Sequence, residues 1–172
     1  QREVRTMVEQ SLVDVRSGLV ETRRMLKNLR SKSLEDMGLS IALNSLVTEA
    51  ACRAQFSADI RIPDDLPLMS QKLEQSVYRI VQEGLKNIVQ HSEAANVRLC
   101  VWMEGRILYL EMVDDGRGFD LNDISQSDHF GLQGMRERAS AVNGKLEITS
   151  KVGRGVRVFL AVEVNDDQDS NL

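Results

Sequence analysis

A chain of 172 residues, 42% hydrophobic and 28% charged, has the size of one ordinary domain plus an appendage and the composition of a soluble globular protein. A formal net charge of −4 and a pI near 5.3 leave no basic footprint for nucleic acid, so no nucleic-acid partner is expected. No apolar run approaches the roughly eighteen residues of a membrane-spanning helix, and no signal peptide is visible.

The first predicted element is a long helix. Residues 2–31 contain no Pro and a single Gly, and they carry a stripe of Val8, Leu12, Val15, Leu19, Leu26 and Leu29, with Thr22 as its polar interruption. Alternating spacings of four and three make the 3.5-residue repeat of a coiled coil or antiparallel bundle. A helix lying on its own domain would show a broader face instead. The chain starts at Gln1 inside this pattern, with no cap and no initiator Met, so a piece of a longer protein is expected. Ser33 can cap a following turn and Gly38 marks a break, after which residues 39–56 read as helix through Leu39, Ala42, Leu43, Leu46, Val47, Ala50 and Phe56.

A short strand over 58–62 stops at Pro63, and Asp64-Asp65-Leu66-Pro67 is a turn. Ser70 caps a helix expected to reach Gln90, with Leu73, Val77, Ile80, Val81, Leu85 and Ile88 on its buried side. Strands follow over 97–103 and 107–113, joined by a tight turn at Glu104-Gly105. A polar stretch precedes a helix over 132–142, which Asn143-Gly144 stops. A second hairpin, 145–150 with 156–164, closes the sheet, and the acidic tail 165–172 is expected to fray. The order predicts an α+β fold, with helices on one face of a mainly antiparallel sheet. Cys52 and Cys100 have no metal-ligand spacing and read as reduced thiols of a cytoplasmic protein. With only His91 and His129, a multi-histidine metal site is excluded.

Three segments carry chemistry. The strand over 107–113 runs into Asp114-Asp115-Gly116-Arg117-Gly118-Phe119, where acids at a strand end meet unobstructed backbone. Such a turn suits a gripped polar base with phosphates lying on amides, or it is a type I′ hairpin turn. A hairpin strand should resume soon after Gly116, yet residues 120–131 are polar and irregular. A calcium loop fails because Glu111 and Val113 would occupy its first and third positions. On the long helix Glu83, Asn87 and His91 are spaced four apart and share a face. An Asn oxygen is a hard ligand suited to Mg²⁺ and a carboxylate one turn earlier can orient an attacking group, whereas a solvated polar stripe would look the same on any single helix. The third is Gly131-Leu132-Gln133-Gly134-Met135, glycines at the start of a predicted helix, fit for an anion or for ordinary capping. Together the three fit a magnesium–nucleotide pocket.

In this order the segments resemble the ATP-binding catalytic domain of sensor histidine kinases of the nitrate-sensor and DesK-like class, within the gyrase, Hsp90, histidine kinase and MutL superfamily. Residues 82–91, Gln-Glu-Gly-Leu-Lys-Asn-Ile-Val-Gln-His, look like that class's N box. Residues 114–119 look like its first glycine box and residues 131–138 like its second, while Leu29-Arg30 and residues 34–39 are similar to the junction with the dimerisation bundle. The resemblance implies a two-layer sandwich of the Bergerat type over residues 34–165, preceded over 1–33 by the second helix of a dimerising hairpin and followed by a tail over 166–172. It assigns Asn87 to Mg²⁺, Asp114 to the adenine amine, Glu83 to phosphoryl transfer and His91 to the ribose or phosphates. Gly116 and Gly118 would admit the base, Gly131, Leu132, Gly134 and Met135 would surround the phosphates, and residues 119–130 would form a lid. The implied activity is transfer of the ATP γ-phosphoryl group to a histidine upstream of Gln1, and thence to a response regulator. The parent would be a homodimer, reaching a membrane only through upstream segments. Gln90 stands where relatives often carry Lys or Arg, and Val156 where a Thr commonly supports adenine; both predict weaker ATP binding. Competing readings are a non-catalytic nucleotide-binding interaction module and an anti-sigma-type serine kinase of the same superfamily, which has no need of a bundle-forming arm.

The heptad seam is an association surface without its hairpin partner. A weak dimer of this chain, or a monomer with a frayed N-terminal helix, is expected. Leu19→Glu should convert any dimer to monomer in a sedimentation series without altering nucleotide binding, and a dimer that survives it would place the interface elsewhere.

Overall fold

A computed structural model describes Leu34, residues 38–120 and residues 126–164, the last with backbone alone over 126–129. The heptad helix, the Ser33 cap and the acidic tail lie outside the described residues. Contacts divide the chain into Gln1–Met37 and Gly38–Leu172, and the second unit holds all the elements below.

Helix α1 (residues 38–54) begins at Gly38, whose φ of +78° only glycine adopts readily, and buries Leu39, Ala42, Leu43 and Val47 along one face. It stops at Gln55, which turns left-handed (φ +59°) and donates its N–H to Ala51. Strand β1 (Ser57–Arg61) leads to α2 (Gln71–Asn87). The Ser70 hydroxyl accepts the Leu73 N–H, and Glu74 in the first turn meets the positive end of the helix dipole. Leu73, Val77, Ile80, Val81, Gly84 and Leu85 give α2 a continuous buried face. The helix does not end at Asn87 but widens into a π turn, Ile88–Ser92, which Glu93 closes in the left-handed region.

Strands β2 (Asn96–Glu104), β3 (Ile107–Asp114), β4 (Lys145–Ser150) and β5 (Val156–Glu163) complete a five-stranded sheet in the order β1-β2-β3-β5-β4. Pairing is parallel between β1 and β2, because α2 supplies the crossover that parallel neighbours require, and antiparallel elsewhere. On the inner face Leu99, Val101, Leu108, Leu110, Met112, Leu160 and Val162 are buried with the apolar faces of the helices. The outer face carries Trp102, Tyr109 and Phe159, with Trp102 stacked on Tyr109 at 5.2 Å and Arg157 lying 4.7 Å above Phe159. Arg157 also pairs with Glu111 at 2.7 Å.

The expected α+β class, the mainly antiparallel sheet and both hairpins are present. One boundary differs by more than fraying. Helix α3 spans Gln126–Ser140, starting six residues before the predicted helix over 132–142. Its buried residues Leu132, Met135 and Ala139 anchor the helix at helical spacing, and cooperative propagation carries it back through a glycine-bearing polar segment in which Phe130 is exposed.

The two acids that end β3 have different duties. Asp115 ties the end of β3 to the start of β2: its Oδ1 accepts the N–H groups of Ala95 (2.9 Å) and Asn96 (2.8 Å), and its Oδ2 the Asn96 side-chain amide (2.7 Å). These bonds, the Asn96 side chain's first, hold the carboxyl pKa below its ordinary value. A depressed pKa means the contribution is complete above the unfolded value of about 3.9 and lost as pH falls through the lower folded one. Asp115→Asn should therefore lower the urea midpoint at neutral pH, with the gap to wild type closing below about pH 4. A gap that stays constant down to strongly acidic pH would show that Asp115 acts through shape and not through charge.

Candidate functional site

The end of β3, the last turns of α2, the start of β5 and the middle of α3 enclose a partly open cleft of about 140 Å³. Asn87, Ile88, His91 and Ser92 line it from the helix and its π turn, and Asp114, Arg117, Gly118 and Phe119 from the end of β3. Leu132 and Met135 come from α3, Val156 and Val158 from β5, and Gly84 and Met112 complete the apolar wall. Of the residues singled out in the sequence, Asn87, His91, Asp114, Gly118, Leu132 and Met135 come together here, whereas Glu83, Gly116, Gly131 and Gly134 do not.

Strand alternation explains the position of Asp114. Leu108, Leu110 and Met112 point into the core, and the next residue on that face is the carboxylate, 3% exposed. Its Oδ1 accepts the Ser92 hydroxyl at 2.5 Å and the Gly116 N–H at 2.9 Å. No fully buried polar side-chain atom among the described residues lacks a partner, and Oδ2 makes no such bond, so that oxygen retains access to the cleft. An acceptor-only group at the bottom of an apolar slot selects for a ligand edge that donates.

The glycines of this turn serve backbone approach. A Cβ on Gly116 would strike the Ser92 hydroxyl and carbonyl, and that carbonyl is held by the Arg117 N–H at 2.8 Å. Gly118 (φ +56°) lines the cleft and lies against the carbonyls of Lys151 and Gly155, while Gly116 lies outside the lining, so the close approach that both glycines allow in this structure is that of neighbouring backbone. The Phe119 N–H donates to the Ser150 hydroxyl (2.8 Å) and the Gly153 N–H to the Arg117 carbonyl (2.6 Å), fastening the loop to the β4–β5 turn.

A correction concerns the other glycine segment. Gly131 and Gly134 are the sixth and ninth residues of α3, where amides bond along the helix, and not the free N-terminal amides of a helix starting at Leu132. The reason is the same early start of α3, which also makes part of the expected lid over 119–130 helical from Gln126; residues 121–125 lie outside the described residues. A Cβ on Gly131 would stand 2.8 Å from Glu83 Oε1, the movable end of a side chain on α2. Glu83 pairs with Lys86 at 2.8 Å, beside the cleft and outside its lining. A Cβ on Gly134 would come within 2.8 Å of Arg138.

Ser92 and Met112 escaped the sequence reading, and Arg117 and Phe119 entered it only as members of the glycine-bearing segment. A helix of 3.6 residues per turn places Glu83, Asn87 and His91 in a stripe and turns the next residue away. The π turn bonds residues five apart, which brings Ser92 into line with Asn87. Only its place directly after His91 hinted at it. Val156 lines the cleft, whereas Gln90 is exposed and outside it. Among the described residues no group of three or more His, Cys, Asp or Glu could hold a metal, so a cation at Asn87 would take its remaining ligands from phosphate and water, the habit of Mg²⁺.

These contacts separate two glycines. Gly116→Ala meets a fixed carbonyl and should cost about 1–3 kcal/mol in urea unfolding. At Gly84 the obstacle is the flexible end of Met112, and alanine's helix propensity offsets part of the strain, so Gly84→Ala should cost less. Equal losses would mean that the Ser92 approach is not the constraint.

Comparison with known proteins agrees with this architecture. Residues 72–166 match the profile of the histidine kinase-, DNA gyrase B- and HSP90-like ATPase family. The chain is 33% identical over 144 residues to the sensor histidine kinase LiaS of Bacillus subtilis, covering 84% of this chain and 39% of LiaS. It is 39% identical over 141 residues to the signal transduction histidine-protein kinase/phosphatase UhpB of Salmonella typhimurium, covering 80% of this chain and 27% of UhpB. It thus spans well under half of either relative. Among solved structures, the histidine kinase domain of a blue-light activated histidine kinase from Erythrobacter litoralis superposes with a TM-score of 0.60 at 21% identity, over 73% of this chain and 61% of that one. The Acinetobacter baumannii histidine kinase AdeS gives 0.60 at 14% identity, over 90% and 81%. A carboxylate at the mouth of a mixed sheet, an Asn-bearing helix beside it and a matching profile across both establish that this chain belongs to the histidine kinase-, DNA gyrase B- and HSP90-like ATPase family.

Proposed function

We propose that this chain is the ATP-binding catalytic part of a sensor histidine kinase, passing the γ-phosphoryl group of ATP to a histidine on a separate helix, from which a response regulator takes it onto an aspartate. The observation that carries the reading is the Asp114 carboxylate, with one oxygen held by the protein and the other open to an apolar cleft. The 6-amino group of adenine donates to that oxygen, and Ile88, Met112, Leu132, Met135 and Val158 supply apolar contact for the ring. The Asn87 side-chain oxygen would hold Mg²⁺, which neutralises phosphate charge when bound. His91 and Arg117, exposed members of the lining, would meet the ribose or phosphates. Kinship to proteins named as sensor histidine kinases supports phosphotransfer and a response-regulator partner. A homodimer joined through residues 1–33 is part of the same reading, as is an anchored parent; among the described residues no helix is long and apolar enough to cross a membrane.

The Glu83–Lys86 pair favours a second reading, a nucleotide-binding module without transfer, because Glu83 must leave Lys86 to act on an attacking group. Incubating the chain with Mg-ATP and a separate polypeptide supplying the histidine-bearing helix separates the two: acid-labile phosphate on that helix supports the kinase, and binding without transfer supports the module.

Calorimetry tests the site itself. ATP should bind more tightly than GTP, and more tightly with Mg²⁺ than without. Val156, apolar where a hydroxyl would support the base, is expected to keep the affinity weak. Asn87→Ala should abolish the Mg²⁺ enhancement, a loss of about tenfold or more, with an unchanged thermal melt. Equal binding of ATP and GTP by the unmodified chain would remove the adenine assignment, and full Mg²⁺ dependence in Asn87→Ala would return that residue to a plain surface role.

A further inference from the structure

Ser92 follows the helix stripe that carries Asn87 and His91, and it reaches the cleft only because α2 ends in a π turn. It is 6% exposed, and its hydroxyl donates to Oδ1 of Asp114, the oxygen that also receives the Gly116 N–H. We propose that Ser92 is a positioning residue that sets base selectivity, by holding Asp114 so that a single carboxylate oxygen faces the ligand. The inference rests on the adenine reading above and assigns a cause to its selectivity.

Three observations converge. First, a hydroxyl has one proton, and the proton of Ser92 is committed to Asp114, so Ser92 does not donate to a ligand and acts through the carboxylate. Second, Ser92 is itself fixed. Its carbonyl receives the Arg117 N–H at 2.8 Å, and Gly116 approaches it so closely that a Cβ would strike both its hydroxyl and its carbonyl. Third, turning the Asp114 carboxylate would break two bonds to Oδ1 at once, in a group that is 3% exposed and has little water to replace them. The oxygen left to the cleft is therefore an acceptor of fixed direction. It matches the amine of adenine and opposes the keto oxygen that hypoxanthine presents at the same ring position.

Without the Ser92 hydroxyl, the Gly116 N–H is the one remaining restraint on Oδ1, and the carboxylate can swing or recruit water. The cost falls on bases that need the directed acceptor and spares those that do not. Calorimetry of the whole chain with ATP and with inosine triphosphate reads this out. Ser92→Ala should weaken ATP about tenfold, because the carboxylate loses its fixed direction, and inosine triphosphate less than about twofold, so that the preference narrows. In an Asp114→Asn background the same substitution should weaken ATP less than about twofold further, because the group it acts through is altered. Ser92→Cys, nearly the same shape with a weak donor, should shift the preference in the same direction by less and serves if the alanine variant does not fold. Equal losses for the two nucleotides, in a variant with the wild-type melt, would make Ser92 merely structural and overturn the proposal. So would a full further loss in the Asp114→Asn background. An unmodified chain that fails to prefer ATP over inosine triphosphate would instead overturn the adenine reading, before any Ser92 variant is measured.

Discussion

A carboxylate on the inner face of an apolar sheet is the constraint on which the rest of the cleft depends. Strand alternation sends Asp114 inward behind Leu108, Leu110 and Met112, and a buried carboxylate must be supplied with donors or it destabilises the strand that carries it. Two donors are supplied locally, by Ser92 and by the Gly116 amide, and both converge on one oxygen. Partial satisfaction is the point at which stability becomes chemistry: the protein spends enough donors to keep the acid folded and leaves one acceptor for something else. Its neighbour Asp115 takes three donors across both of its oxygens, so two adjacent acids of the same type end as a strand tie and a cleft acceptor.

Supplying those donors forces backbone against backbone. The π turn delivers Ser92 at the level of Asp114, and Gly116 lets the following loop pass close to it. Gly155 lies against the carbonyl of Asp114 from the β5 side, where a Cβ would collide with it. Phe119 and Arg117 then fasten the loop to the β4–β5 turn through Ser150 and Gly153. The result is one wall built from three distant stretches of chain, whose glycines are explained by neighbours within the protein before any ligand is considered.

Much of this was legible in order and little of it in depth. Alternation in β3 and β5, the Ser70 cap and the turns at Gly105 and Gly153 are local signals, and the sheet follows from them. The spacing of Asn87 and His91 and the position of Asp114 at a strand end were enough to bring these residues to one cleft. What resisted reading depends on partners far away in sequence. The start of α3 at Gln126 lies in a polar segment without a clear start signal, reached by propagation from a helix anchored at Leu132, Met135 and Ala139. Ser92 enters through a change of helical pitch that no residue type announces. Gly116 and Gly131 look like ligand-facing glycines in sequence and prove to face Ser92 and Glu83.

The aromatic stack on the outer face of the sheet has a practical consequence. Trp102 is the chain's sole tryptophan, and it lies on the side of β2 opposite the cleft, against Tyr109 and near Phe159. Its indole N–H is held by Glu104 at 3.0 Å, so both the ring and its polar edge are tied to strands β2, β3 and β5. Intrinsic fluorescence of this protein is therefore an optical gauge of the sheet. Occupancy of the cleft reaches the indole only through a strand, whereas separation of β2 from β3 alters it at once, so the emission spectrum distinguishes loss of the scaffold from loss of the ligand in a single cuvette.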